Sequence, residues 1–477
     1  MGTPAAGKDA ANGKIKTMLD SMDISKILRR SLSGGGEFAD VYFEEGASTS
    51  IICEDDKIER VVTGTDRGVG IRVIADLRTW YAFTNVITGE SLMELAETVS
   101  NAVKGRQSVE TIDMRTRLTG EGFPVRLPPE TVPLREKVTL VNNANRAARG
   151  ADPRVRQVMV AYRDGKVGTQ IANSLGEFVE SSRTGTVFMV QVVASDGEII
   201  QTGYEPVGGY RGFEMFDDHA PEQIALAAAR RALMMIGARK APAGTMPVVL
   251  SSEAGGTMVH EAIGHGLEAD LAQAGFSVYA GKIGERVASP LITVIDDATI
   301  PHARGSFSFD DEGVAGQRTV LVENGILRSY MYDRLSAMKD GRTSTGNGRR
   351  ESYQSKPIVR MSNTLIAPGD ADPGTIIRTV DRGLFVRKMG GGQVNTVNGD
   401  FVFDVSEGYL IEKGEIGEPL RGATLTGNGP EALKMVEKVG NDLGFGIGTC
   451  GKDGQGIPVS DAQPTLLISE IVVGGAV

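Results

Sequence analysis

Residues 154–197, RVRQVMVAYRDGKVGTQIANSLGEFVESSRTGTVFMVQVVASDG, settle the class of fold. Apolar and polar side chains alternate through Arg154–Arg163, Val167–Asn173, Glu177–Ser181 and Thr184–Ala194, the period of half-buried strands. Arg163-Asp164-Gly165-Lys166 and Ser195-Asp196-Gly197 read as tight hairpin turns, because Asp-Gly supplies the positive φ such turns need. Helical periods flank this block: Pro133–Ala148, with proline in its first turn, and the alanine-rich Pro221–Ile236. Upstream the order repeats. A helix over Ile15–Leu32 precedes strands at Phe38–Glu44, Ser48–Glu54, Ile58–Thr63, Val69–Ala75 and Thr79–Thr84, and a helix over Glu90–Val103 follows. From Met246 the chain turns strand-rich and glycine-rich. Glu323-Asn324-Gly325 and Glu412-Lys413-Gly414 are its hairpin turns, and its helices lie only around Gly255–Leu271, Arg334–Lys339 and Pro430–Val439.

Strands joined by short turns imply antiparallel pairing. The expected class is α+β: N-terminal helix-and-antiparallel-sheet units, then a strand-rich, barrel- or sandwich-like C-terminal domain. The expected divisions are a disordered tail over 1–13, an α+β unit over 14–104, a linker over 105–131, a second α+β unit over 132–240, and a β-rich domain over 241–477.

Composition excludes several functions. The 477 residues carry a net charge of −10 and a sequence pI near 5.2. An acidic chain without basic runs is a poor partner for nucleic acid, where phosphate neutralisation needs clustered Lys and Arg. No apolar run approaches the ~20 residues of a membrane helix. Glycine is abundant, 62 residues, without the three-residue period of collagen, so it serves turns. The two cysteines, Cys53 and Cys450, form no disulfide framework, and a reducing cytoplasm is the simplest compartment.

The chemistry concentrates in Gly255–Glu268, GGTMVHEAIGHGLE. Of four histidines in the chain, His260 and His265 lie here, with Glu261 directly after the first. Imidazole is the commonest neutral metal ligand, and a carboxylate beside it can serve as general base. The spacing is unusual. Histidines four apart share a helix face, whereas five steps of ~100° leave them ~140° apart. A widened, π-type turn near Gly264 would bring the rings together. Two histidines do not complete a catalytic zinc site, which generally has three protein ligands. Cys450, in a glycine loop with little apolar surface to bury it, is one candidate for the third, Glu268 its main competitor, and Asp310 and Asp311 are weaker ones. Asp310-Asp311-Glu312 reads first as an acidic hairpin tip and second as support for the histidines. Thr345–Arg350 reads either as a loop presenting Arg349 or Arg350 to a substrate carboxylate or carbonyl, or as a turn with two solvated arginines. His219 and His302 read as helix-start and loop residues.

These segments are recognisable together. His260–Glu268, Asp310–Gly313, Thr345–Tyr353, Gly390–Val394 and Thr449-Cys450-Gly451-Lys452, in this order, resemble the TldD/PmbA family, once named modulators of DNA gyrase and regarded as metallopeptidases; the match is closest to its metal-bearing subunit. The resemblance implies one zinc per chain, held by His260, His265 and Cys450, with Glu261 as the catalytic glutamate. It also implies a partner, either a metal-free TldE/PmbA-like homologue in a heterodimer or a second copy in a homodimer, and unfolded or extended peptides as substrates. The expected function is therefore a zinc-dependent peptidase. The alternative is a non-catalytic peptide-binding or regulatory protein, which absence of the histidines would favour.

Overall fold

The structure is a computed structural model that describes residues 22–103, 112–120 and 122–475. The expected tail over 1–13 and the start of the expected Ile15–Leu32 helix lie outside these residues. The described helix is Ile24–Leu32, opened by Asp23, whose side chain accepts from Lys26 N.

Both N-terminal units contribute to one seven-stranded sheet. Its order is Arg78–Thr84, Lys57–Ala75, Phe38–Glu54, Val155–Asn173, Glu177–Ser195 and Thr116–Gly120, with Ile200–Gly209 also paired to Glu177–Ser195. The units meet where Phe38–Glu54 runs antiparallel to Val155–Asn173, from Asp40 opposite Asn173 to Glu54 opposite Met159. The strands are longer than the sequence pattern suggests. Phe38–Glu54 and Lys57–Ala75 are continuous, joined at Asp55-Asp56, both with positive φ.

The expected turn at Arg163–Lys166 is absent: Asp164-Gly165 lies inside the unbroken strand Val155–Asn173. Gly165 pairs with Ser48 on one side and Gly185 on the other, so the backbone there is held extended by two neighbours. The actual reversal is at Ser174–Gly176, whereas the turn at Ser195-Asp196-Gly197 is present. The stretch expected as linker also contains structure. Thr116–Gly120 adds to the sheet edge, parallel to Glu177–Ser181.

Helices cover the sheet in two pairs. Ile24–Leu32 and Gly89–Ala102 bury Ile27, Leu28, Leu92, Ala96 and Val99 against Val41, Val69 and Ile71. Leu134–Arg149 and Pro221–Ile236 bury Val141, Ala144, Ala225 and Ala228 against Val158, Val160 and Val190. The last helix comes so near the sheet that a Cβ on Gly203 would stand 1.9 Å from Ala228 O. Only glycine permits that approach.

In the C-terminal half five strands close on themselves. Arg382–Val394 pairs with Gly244–Leu250, then follow Leu466–Gly474, Thr424–Asn428 and Asp400–Glu412, which returns to Arg382–Val394. The β-rich half is thus a barrel, with Val248, Leu250, Leu384, Val386, Phe401, Phe403, Leu425 and Ile468 in its core. A six-stranded sheet lies beside it, in the order Ile326–Leu327, Arg318–Glu323, Val294–Asp297, Asn363–Ile366, Gln455–Gln463 and Gly444–Lys452. Gly444–Lys452, the strand that bears Cys450, is its edge. The architecture is the expected α+β class.

Candidate metal centre

The segment Thr257–Leu267 packs into the barrel core through Met258, Val259, Ala262, Ile263 and Leu267. It changes helix type twice. Thr257–Val259 is α-helical, His260–Gly264 is a π turn, and His265–Leu267 is a 3₁₀ turn. In the π turn the N–H of His265 bonds His260 O, five residues back. Tyr279 Oη donates to Ala262 O at 2.9 Å, so the altered ladder leaves that carbonyl satisfied. The five-residue spacing thereby becomes one face. The imidazole centroids of His260 and His265 are 5.0 Å apart, with the rings perpendicular.

Cys450 arrives from the edge strand, 185 residues on, with Sγ 3.3 Å from His265 Nε2. One ligand atom from each of His260, His265 and Cys450 lies within 4.8 Å of the others, and this is the one such cluster among the described residues. Burial disfavours a thiolate, but hydrogen bonds from His260 and His265 outweigh it and bring the Cys450 thiol down to about 5. Two imidazoles and a thiol inclined to ionise form a donor set suited to a borderline metal ion.

Carboxylates back both rings. Glu268 Oε2 lies 3.0 Å from His265 Nδ1, and Asp461 Oδ2 lies 3.9 Å from His260 Nδ1, which has no hydrogen-bond partner. Glu268 therefore stands behind His265 rather than beside it as the competing third ligand. Burial would raise its carboxyl, yet Lys452 and His265 hold it at about 2.

Glu261, His260, His265, Cys450, Lys452 and Asp461 line one cleft of about 510 Å³. Gly392, Gln393 and Val394 of the barrel strand, with Thr396, form part of its wall. Burial, only partly offset by His260 and His265, raises the Glu261 carboxyl above the usual range.

The structure does not bring Arg349 and Arg350 to this cleft. Both are buried and occupied, which corrects the substrate-presenting expectation. Arg349 donates to Met361 O at 2.6 Å and Pro458 O at 2.8 Å. Arg350 donates to Asp311 O at 2.8 Å, and its guanidinium lies 4.0 Å from the Tyr42 ring centroid. Asp310-Asp311-Glu312 is no exposed tip either. All three are buried, with Asp311 paired to Arg183 and Glu312 to Arg72. His302 donates to or accepts from no ligand of the cluster; its Nδ1 lies 3.0 Å from Tyr210 O, and His219 follows the short helix Met215–Asp218.

Sequence reasoning missed Asp461 and the role of Lys452. For Lys452 a signal existed, since the i, i+2 spacing from Cys450 puts both on one strand face. For Asp461 none did.

Three family models match the chain along its length: the PmbA/TldA metallopeptidase domain 1 at residues 39–104, central domain at 127–236 and C-terminal domain at 243–475. A metalloprotease TldD homolog of Haemophilus influenzae is 37% identical, over 98% of this chain and 97% of its own. A zinc metalloprotease TldD homolog of Saccharolobus solfataricus is 28% identical, over 95% and 100%. Among solved structures, a putative modulator of DNA gyrase from Thermotoga maritima has a TM-score of 0.76 at 24% identity, over 94% of this chain and 98% of its own. TldE from Thermococcus kodakarensis has a TM-score of 0.73 at 20% identity, over 96% and 100%. With the His260/His265/Cys450 cluster in place, and relatives of this identity spanning nearly the whole length, the chain belongs to the PmbA/TldD family of metallopeptidases.

Proposed function

We propose that this chain is a zinc-dependent peptidase, with one ion held by His260, His265 and Cys450 and with Glu261 as general base. The observation that carries the reading is the convergence of those three donors within 4.8 Å, on a cleft whose wall includes Glu261. A bound zinc ion would supply Lewis acidity to a water molecule and to the scissile carbonyl. Glu261 takes the proton from the attacking water and delivers it to the leaving amine. Its raised carboxyl suits both halves of that transfer, because the same group must accept and then donate near neutral pH.

The substrates in this reading are unfolded or extended peptides, and the working form is a dimer with a metal-free homologue or a second copy. Support for a partner of the same fold comes from the likeness to TldE across 96% of the chain. The compartment is the cytoplasm, where the free thiols Cys53 and Cys450 stay reduced. Among the described residues no helix is long and apolar enough to cross a membrane. The test is metal analysis of the wild type beside His260→Ala, His265→Ala and Cys450→Ser. About one zinc per chain, lost in each variant, supports the site; full occupancy in all three would remove it.

A further inference from the structure

Cys450 and Lys452 lie two residues apart on the edge strand Gly444–Lys452 and so project to one face. Lys452 points inward. Its Nζ donates to Asp270 Oδ1 and Oδ2 at 2.7 Å and to Val359 O at 3.1 Å, and lies 3.2 Å from Glu268 Oε2. The Glu268 side chain is 0% exposed and that of Lys452 8%. The same Glu268 oxygen is 3.0 Å from His265 Nδ1, and His265 Nε2 is 3.3 Å from Cys450 Sγ. The contacts thus form a ring: cysteine, histidine, glutamate, lysine, and two strand residues back to the cysteine. Arg360 braces the same strand, with Nη2 donating to Cys450 O at 2.5 Å.

A carboxylate can only accept, so a hydrogen bond from Nδ1 to Glu268 keeps a ring proton on Nδ1 and makes Nε2, which faces Cys450, the nitrogen that is freed for a metal. Stability alone is a poor reason for this pair. Glu268 Oε1 is buried without a hydrogen-bond partner, and a buried ion pair with an unsatisfied oxygen contributes little beyond its desolvation cost. Its value lies in what it orients.

We propose that Glu268, clamped by Lys452, is a positioning residue. It sets the tautomer and plane of His265 and ties the strand carrying Cys450 to the turn carrying the histidines, so that the three donors are assembled before the metal binds. This rests on the reading that His260, His265 and Cys450 hold the metal.

Two measurements on the full chain test it. The first is Zn(II) affinity at one fixed pH, by competition with a colorimetric chelator. The second is the nitrogen-15 shifts of the histidine rings in metal-free protein, which is tractable with four histidines. In the wild type, His265 should carry its proton on Nδ1. In Glu268→Gln that preference should be lost and zinc affinity should fall about 10–100-fold. The double variant Glu268→Gln/Lys452→Met, which leaves the net charge of the pair unchanged, should show the same loss, which separates lost orientation from a changed local charge. A wild-type His265 protonated on Nε2 alone, with Nδ1 bare, overturns the inference, and this measurement stands even if neither variant folds. Variant affinity equal to that of a zinc-binding wild type also overturns it. A wild type that binds no zinc would instead sink the metal-site reading beneath it.

Discussion

Arg72, on the N-terminal sheet, donates through Nη1 to Glu312 Oε1 of the C-terminal half at 2.5 Å, and neither side chain is more than 1% exposed. Arg72 also pairs with Asp40, and nearby Asp311 pairs with Arg183, so the acidic run of the C-terminal half is plugged into basic residues of the sheet. A buried charge that loses its partner keeps its desolvation cost. Arg72→Met should therefore cost about 3–5 kcal/mol, read from the midpoint of chemical unfolding, and adding Glu312→Gln should restore part of it. An unchanged midpoint in Arg72→Met would show that this joint holds nothing.

Asp333, the residue that opens the helix Arg334–Asp340, lies near the same carboxylates. Burial, with Glu312 adding to it, pushes its carboxyl up to about 6. An acid raised on folding stabilises the folded state below its unfolded value, and that contribution disappears as pH rises through the folded value. Unfolding free energy should therefore decline between about pH 4 and pH 6, by about 2–3 kcal/mol from this group. Asp333→Asn preserves the cap and removes the titration. Denaturant titrations at several pH values should show the variant gaining on the wild type across that window and level with it below.

For Glu261, the expected result is a separation of metal content from activity. Glu261→Gln should retain zinc while kcat falls by about 10²–10⁴, since that is the usual share of positioned proton transfer. Undiminished cleavage by Glu261→Gln would exclude the general-base role.

The entry into the helix that carries His260 and His265 depends on Gly256, whose N–H donates to Asp461 Oδ1 at 3.0 Å. A Cβ there would stand 2.3 Å from Ala462 N and 2.6 Å from Asp461 C. Those are backbone atoms of a paired strand and cannot turn aside. Gly256→Ala should cost about 1–3 kcal/mol or more and weaken zinc binding, because the helix and Asp461 must part. Thermal unfolding and the chelator competition read the two effects.

Substrate form supplies the last expectation. The complex with a metal-free homologue should cut a destabilised variant of a test protein and spare the same protein when folded, with the isolated chain slower on the destabilised form. Equal rates on the folded and destabilised forms from the chain alone would rule out selection by access.

Much of this was legible locally. The five-residue step from His260 to His265 demands a widened turn, because an α-helix would part the rings, and the π turn is there. The turns at Asn324-Gly325 and Lys413-Gly414 have positive φ at both residues, which Asn324, Gly325 and Gly414 favour by type. Such features depend on neighbours a few positions away.

What only the tertiary structure decided involves partners far along the chain. Asp164-Gly165 has turn chemistry, yet strands on both sides hold it extended. Arg349 and Arg350 have the composition of a solvated loop, yet carbonyls of Met361, Pro458 and Asp311 and the Asp40 carboxylate, all from distant segments, give their charges a place inside. Residue type shows that Cys450 can bind metal. Its position beside His265 follows from the pairing of Gly444–Lys452 with Gln455–Gln463 and from the Lys452–Glu268 contact. Local propensity is worth only a few tenths of a kcal/mol per residue, whereas strand pairing and the burial of charge are worth several, so the long-range term decides wherever the two disagree.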